Sequence, residues 1–143
     1  MTQQAINAAP VVFVVDDNFD VREVLKSLLE SVGLRAEVFG STREFLQHKP
    51  MDTVSCLLLD VSLPGMSGLD FQAELAGTHA DIPIIFLSGH DDELISVRAM
   101  KAGAVEFLTK PVSEQDLLDA INLAFERDRT RRANESIRRT GPQ

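Results

Sequence analysis

Short apolar runs alternate along this chain with longer runs of helical periodicity. Residues 11–15 (Val11, Val12, Phe13, Val14, Val15) are apolar at every position, the pattern of a strand covered on both faces. Residues 56–59 and 83–87 read the same way, and residues 104–108 form a shorter, less pure version. Residues 35–39 alternate polar and apolar side chains, as a half-covered edge strand does. Between these runs, Val21, Val24, Leu25, Leu28, Leu29 and Val32 keep the spacing of one helix face, and Gly33 follows where that helix stops. Ser41 with Glu44 three residues on has the form of a capping box opening a second helix. A third helix is expected around residues 68–77. A fourth spans residues 91–102 and is closed by Gly103. Ser113 and Asp116 open a fifth, with Leu117, Ile121, Ala124 and Phe125 on one face, which runs toward an Arg-rich end before Gly141 and Pro142.

Strands that alternate with helices imply right-handed crossovers and a parallel sheet with helices on both faces, an α/β fold. A length of 143 residues suits one domain. The expected division is a disordered N-terminus at 1–9, the domain at 10–127 and an Arg-rich helical extension or linker at 128–143.

In such a sheet, chemistry gathers beyond the carboxyl ends of the strands. Here the first strand is followed by Asp16 and Asp17, the third by Asp60, the fourth by Ser88 and the fifth by Lys110 and Pro111. Singly, each has a simpler reading: Asp16 or Asp17 as a helix N-cap, Asp60 and Ser88 as turn residues, Lys110 as a surface side chain. Together they place three carboxylates, a hydroxyl and an ammonium on one edge. Three converging carboxylates repel and call for a cation. Hard oxygen donors suit Mg²⁺, which keeps waters and accepts phosphate oxygens. A metal, an ammonium and a hydroxyl around phosphate are the parts of phosphoryl transfer, with Asp60 the candidate nucleophile.

Charge and composition narrow the field. The net charge is −8, but residues 127–143 carry six Arg against Asp128 and Glu135, so that end is +4 and the remainder −12. An acidic body is a poor nucleic-acid binder, and no direct nucleic-acid binding by this chain is expected. The basic end reads as a solvated helical extension, with contact to an acidic partner as the alternative. Cys56 is the single cysteine and opens an apolar run, so it reads as a small buried hydrophobe in a reducing, cytoplasmic setting. The apolar run at 11–15 is far too short to span a membrane.

The run from Val12 to Asp17, the stretch Leu57 to Gly68 with Asp60 and Pro64, the stretch Ile84 to His90 with Ser88, and the stretch Lys101 to Pro111 with Phe107 and Lys110 together resemble the response-regulator receiver domain of two-component signalling, in its FixJ/LuxR type. The resemblance covers residues 10–127. It implies a flavodoxin-like five-stranded sheet of order 2-1-3-4-5. It implies that Asp60 accepts phosphate from a histidine kinase. Asp17, Asp60 and the backbone carbonyl of Ser62 would hold Mg²⁺, with Asp16 assisting. Ser88 and Lys110 would bond the phosphoryl oxygens. Phe107 would be the switch aromatic, with plain core packing as its alternative reading, and Lys110–Pro111 would be a cis peptide. Such a protein is a signalling switch rather than an enzyme, although it takes part in phosphoryl transfer and slowly dephosphorylates itself.

The chain departs from the family's usual pattern at Asn18, where a further acid is common, and Ser62 is small for its place beside the phosphoryl group. The movable part would be residues 91–112, whose apolar side chains Leu94, Ile95, Val97, Ala99 and Met100 serve either deep packing or a phosphorylation-dependent homodimer. Only 16 residues follow Arg127, too few for a helix-turn-helix module. The expectation is a stand-alone receiver or the receiver fragment of a transcription regulator. A haloacid-dehalogenase-type enzyme would need an acid where Ser62 stands. A flavodoxin would need a phosphate loop where Asp16 and Asp17 stand. A pseudo-receiver would lack part of the site.

Overall fold

The computed structural model describes residues 9–48, 53–61, 68–75, 82–89 and 93–140. Among these residues five strands, β1 (Val11–Val15), β2 (Arg35–Phe39), β3 (Ser55–Asp60), β4 (Ile84–Ser88) and β5 (Glu106–Thr109), alternate with five helices. These are α1 (Phe19–Ser31), α2 (Thr42–Gln47), α3 (Gly68–Leu75), α4 (Glu93–Lys101) and α5 (Glu114–Thr140). All neighbouring strands are parallel, in the order 2-1-3-4-5, which is the flavodoxin-like doubly wound sheet.

The unbroken apolar runs have a period of two hidden inside them. Val12, Val14, Cys56, Leu58, Ile85 and Leu87 pack on one face of the sheet against Leu25 and Leu29 of α1 and Leu117, Ile121 and Phe125 of α5. Val11, Phe13, Val15, Leu57, Leu59 and Phe86 pack on the other against Phe45, Phe71 and Ala99 of α2, α3 and α4. Alternate side chains point to opposite faces of a strand, and both faces are covered, so the interiors of β1, β3 and β4 are apolar. Polar residues stand only at strand ends, Ser55 at the start of β3 and Asp60 and Ser88 at the far ends of β3 and β4. Each large side chain fully buried this way contributes about 1.5–3 kcal/mol of transfer free energy.

The helix ends follow local chemistry. Asn18, not Asp16 or Asp17, caps α1, its side-chain oxygen accepting from the Val21 N–H at 3.1 Å. Ser41 caps α2 by accepting from the Glu44 N–H at 3.1 Å, and the returning Glu44 carboxylate takes the N–H of Gly40, one residue earlier than the simple capping box. The Ser113 hydroxyl accepts from the Asp116 N–H at 3.0 Å and opens α5. Gly33 and Gly103 have φ of 87° and 103°. Behind each, the next residue's N–H bonds five residues back, Leu34 to Leu29 and Ala104 to Ala99. This is the Schellman closure that needs a left-handed residue.

Boundaries differ from the sequence reading where buried loop and strand look alike. Ala104 and Val105 are buried but belong to the turn after α4, so β5 begins at Glu106 rather than 104. The third strand runs through Asp60, and the fourth runs from Ile84 through Ser88. α5 passes residue 127 without a break.

Candidate functional site

The carboxyl ends of β1, β3, β4 and β5 converge, and their polar residues meet there. Asp16 ends the run from β1 and is buried, Asp17 beside it is exposed, and Asp60 closes β3 and is buried. One carboxylate oxygen from each of the three lies within 4.8 Å of the others. Lys110 enters from the segment after β5. Its Nζ donates to Asp16 Oδ2 at 3.0 Å and to Asp60 Oδ2 at 3.3 Å. Its backbone N–H donates to the Ser88 carbonyl at 2.7 Å, and its bond to Pro111 is cis. The ends of β4 and β5 are thereby tied together at the residues that face the acids.

The electrostatics are those of a cation set among anions. Partial burial alone would lower the Lys110 pKa, but the Asp16 hydrogen bond and charge, with the charge and bond of Asp60, outweigh it and hold the ammonium above its ordinary value. Lys110 is therefore charged throughout the neutral range. Asp16 is held at every polar atom. Its N–H donates to the Phe39 carbonyl at 3.2 Å and its own carbonyl accepts from Arg22 Nη1 at 2.7 Å. Oδ1 accepts from the Asn18 N–H at 2.9 Å and Oδ2 takes Lys110.

Of the residues singled out in the sequence, Asp16, Asp17, Asp60 and Lys110 meet in one cluster. Ser88 is buried at the end of β4, in register with Thr109. Phe107 lies lower on β5, half-buried, opposite Phe86 with ring centroids 6.3 Å apart. Ser62 and His90 lie outside the described residues.

Two residues went unseen in the sequence. Arg22 left no signal, because its bond is to a backbone carbonyl. Asp128 was counted only as a counter-charge within the basic end, yet it is fully buried. Its carboxylate accepts from the Ser55 N–H at the start of β3 at 3.0 Å and pairs with Arg131 at 2.7 Å and Arg132 at 2.8 Å. The spacing of three and four residues on a helix was the available signal. Arg127 and Arg129 are also engaged, with the Gly103 carbonyl and with Glu126. Cys56, beside Asp128, has its thiol pushed up by burial and by that charge, the state of an inert core cysteine. A groove at the opposite end of the sheet, bordered by Leu75, Ile82, Gly103, Arg127, Thr130 and Asn134, faces none of the clustered acids.

The family model of the response regulator receiver domain matches residues 12–122. The chain belongs to that family. Nodulation protein W of Bradyrhizobium diazoefficiens is 57% identical over 122 residues, covering 85% of this chain and 54% of the relative. Response regulator protein TodT of Pseudomonas putida is 46% identical over 126 residues, 88% of this chain and 56% of the relative. Among solved structures, the response regulator StyR superposes with a TM-score of 0.84 at 46% identity, over 92% of this chain and 66% of that one. The N-terminal domain of FixJ superposes at 0.76 and 34%, over 83% and 95%. The receiver domain thus spans about half the length of the curated relatives it matches. Response regulators take phosphate from histidine kinases, and several relatives are named as transcriptional regulators. Among the described residues no helix is long and apolar enough to cross a membrane.

Proposed function

We propose that this receiver domain is a phosphorylation-dependent switch that accepts a phosphoryl group on Asp60 from a histidine kinase with Mg²⁺ bound. The observation that carries the reading is the placement of the Asp60 carboxylate: at the mouth of β3, 3.3 Å from the Lys110 ammonium and grouped with Asp16 and Asp17.

The donor set fits the metal. Three hard carboxylate oxygens gather within 4.8 Å, one of them from an exposed side chain, and a small divalent cation relieves their repulsion. Asp17 and Asp60 would hold Mg²⁺ with the Ser62 carbonyl, and Asp16 would assist. When bound, the ion neutralises charge on the phosphoryl oxygens. The protein does the rest. An Asp60 Oδ attacks phosphorus, the P–N bond of the donor phosphohistidine breaks, and the imidazole leaves with the electron pair and takes a proton. Lys110 keeps its charge and moves its ion pair from Asp60 to a phosphoryl oxygen, and the Ser88 hydroxyl donates to another. Charge-assisted bonds of this kind are the strong ones, which gives the new oxygens a firm hold on both loops.

The response would pass along β4 and β5 to Phe107 and α4. Ile95 and Ala99 of α4 pack on the sheet, whereas Leu94, Val97 and Met100 are 64%, 49% and 40% exposed. That apolar surface supports a homodimer through residues 91–112 as output, with residues 10–127 as the switching unit and 128–143 as its extension. The setting is the cytoplasm, the switch is no enzyme beyond its slow self-dephosphorylation, and no nucleic acid is bound directly. The same input serves a stand-alone receiver or the receiver part of a transcription regulator. Beryllofluoride, a phosphoryl mimic, added with Mg²⁺ should move the amide resonances of Ser88, Phe107 and Lys110 in the intact chain and leave Asp60→Asn unmoved. Equal shifts in both proteins would contradict the assignment of Asp60.

A further inference from the structure

Asp17 is the exposed member of the acidic cluster, and among the described residues its carboxylate has no hydrogen-bond partner. Its direction is set by the backbone beneath it, which two side-chain bonds hold: Asp16 Oδ1 accepts from the Asn18 N–H at 2.9 Å, and Arg22 grips the peptide plane itself. Arg22, in the first turn of α1, donates from Nη1 to the Asp16 carbonyl at 2.7 Å. That carbonyl belongs to the peptide plane joining Asp16 to Asp17, and the plane cannot turn while the bond stands. We infer that Arg22 is a positioning residue for the cation site, acting through the Asp16–Asp17 peptide. This rests on the reading of the acids as a Mg²⁺ site.

Two neighbours keep Arg22 in place. The guanidinium carbon lies 5.6 Å from the centroid of the Phe19 ring, a cation–π contact made by an aromatic that is otherwise exposed. On the β2 side stands Gly40, where an added Cβ would meet Arg22 Nη1 at 3.3 Å and Glu44 Oε2 at 3.5 Å. The absent side chain leaves the room the guanidinium uses. Lysine is no substitute, because a point charge on a flexible stem does not fix a carbonyl in direction as a planar fork does.

Groups that orient metal ligands typically carry about 10–100-fold of metal affinity. The test is a Mg²⁺ titration of the full chain followed by amide resonances, with urea unfolding in parallel, on wild type, Arg22→Met, Arg22→Lys, Gly40→Ala and the Arg22→Met/Gly40→Ala double variant. The expected result is a Mg²⁺ dissociation constant raised about tenfold in Arg22→Met and only partly restored in Arg22→Lys. Gly40→Ala should give a smaller rise that vanishes in the Arg22→Met background, since both act through one guanidinium. Unchanged Mg²⁺ affinity in Arg22→Met, whether or not stability falls, would overturn the inference, as would independent effects of the two substitutions. A wild type that binds no Mg²⁺ overturns it as well. A wild type that binds Mg²⁺ but takes no phosphoryl group from acetyl phosphate counts against Asp60 alone, and the comparison of the variants still decides the role of Arg22.

Discussion

Lys110 bridges Asp16 and Asp60, 3.0 Å from the first and 3.3 Å from the second. One ammonium thereby offsets half the charge of two buried carboxylates, which lie at the ends of neighbouring strands and stand 44 residues apart in the chain. On the proposed function, the same ammonium would also meet a phosphoryl group on Asp60, so bridging and catalysis would fall to one side chain.

Replacing it separates those roles. Lys110→Met should slow phosphorylation of Asp60 by about 100-fold, the cost of removing one preorganised donor from developing charge. Rates of phosphorylation from acetyl phosphate at saturating Mg²⁺ measure this directly. The pH profile carries a second expectation. The Lys110 pKa is raised above 10.5 in the fold, so its contribution to stability is fully present below the unfolded value and is lost as pH rises through the folded one. Urea midpoints of wild type and Lys110→Met should therefore differ by a constant amount through neutral pH and converge only above that window. Convergence near neutrality would contradict the bridge.

Asp128 makes a prediction about stability without a loss of chemistry. Its removal leaves the Ser55 N–H without its partner and takes from Arg131 and Arg132 the carboxylate they share. Asp128→Ala should destabilise the domain by about 2–3 kcal/mol in urea unfolding and leave the phosphorylation rate of the folded protein unchanged. Cys56 reports the same event. Buried and with its thiol pushed up, it should resist thiol reagents until the domain opens, and it should be labelled faster in Asp128→Ala.

Asn18 caps α1 while standing beside the acids. Asn18→Ala should cost about 1 kcal/mol through the lost cap. Asn18→Asp keeps the cap, adds a negative charge near the cluster and should tighten Mg²⁺ binding. A titration that shows unchanged binding in Asn18→Asp would place that charge too far away to matter.

The exposed apolar face of α4 tests output separately from input. Val97→Glu lies on a surface position and should alter monomer stability by less than about 0.5 kcal/mol. Light scattering on phosphorylated protein should show the dimer in wild type and its loss in this variant, with phosphorylation itself intact.

Much of this was legible in the sequence because the fold is built from central parallel strands. β1, β3 and β4 are covered on both faces, so their ends are the first places where polar residues can stand. Asp16, Asp17, Asp60 and Ser88 announce those ends. What escaped did so for physical reasons. Ala104 and Val105 are as buried as strand residues, and no pattern of apolar positions separates a buried turn from a short strand. Asp128 vanished into a net charge of the basic end, since a sum over 17 residues ignores that a helix sets residue i beside i+3 and i+4. Arg22 grips a carbonyl, which every residue has, so composition holds no trace of it.

The central claim is that Asp60 takes the phosphoryl group with Mg²⁺ present, and intact mass after incubation with acetyl phosphate tests it most directly. The chain should gain one phosphoryl group with Mg²⁺, gain none when the metal is chelated, and gain none as Asp60→Asn. Phosphoryl gain that persists in Asp60→Asn, or a wild type that gains none at any Mg²⁺ concentration, would contradict the account.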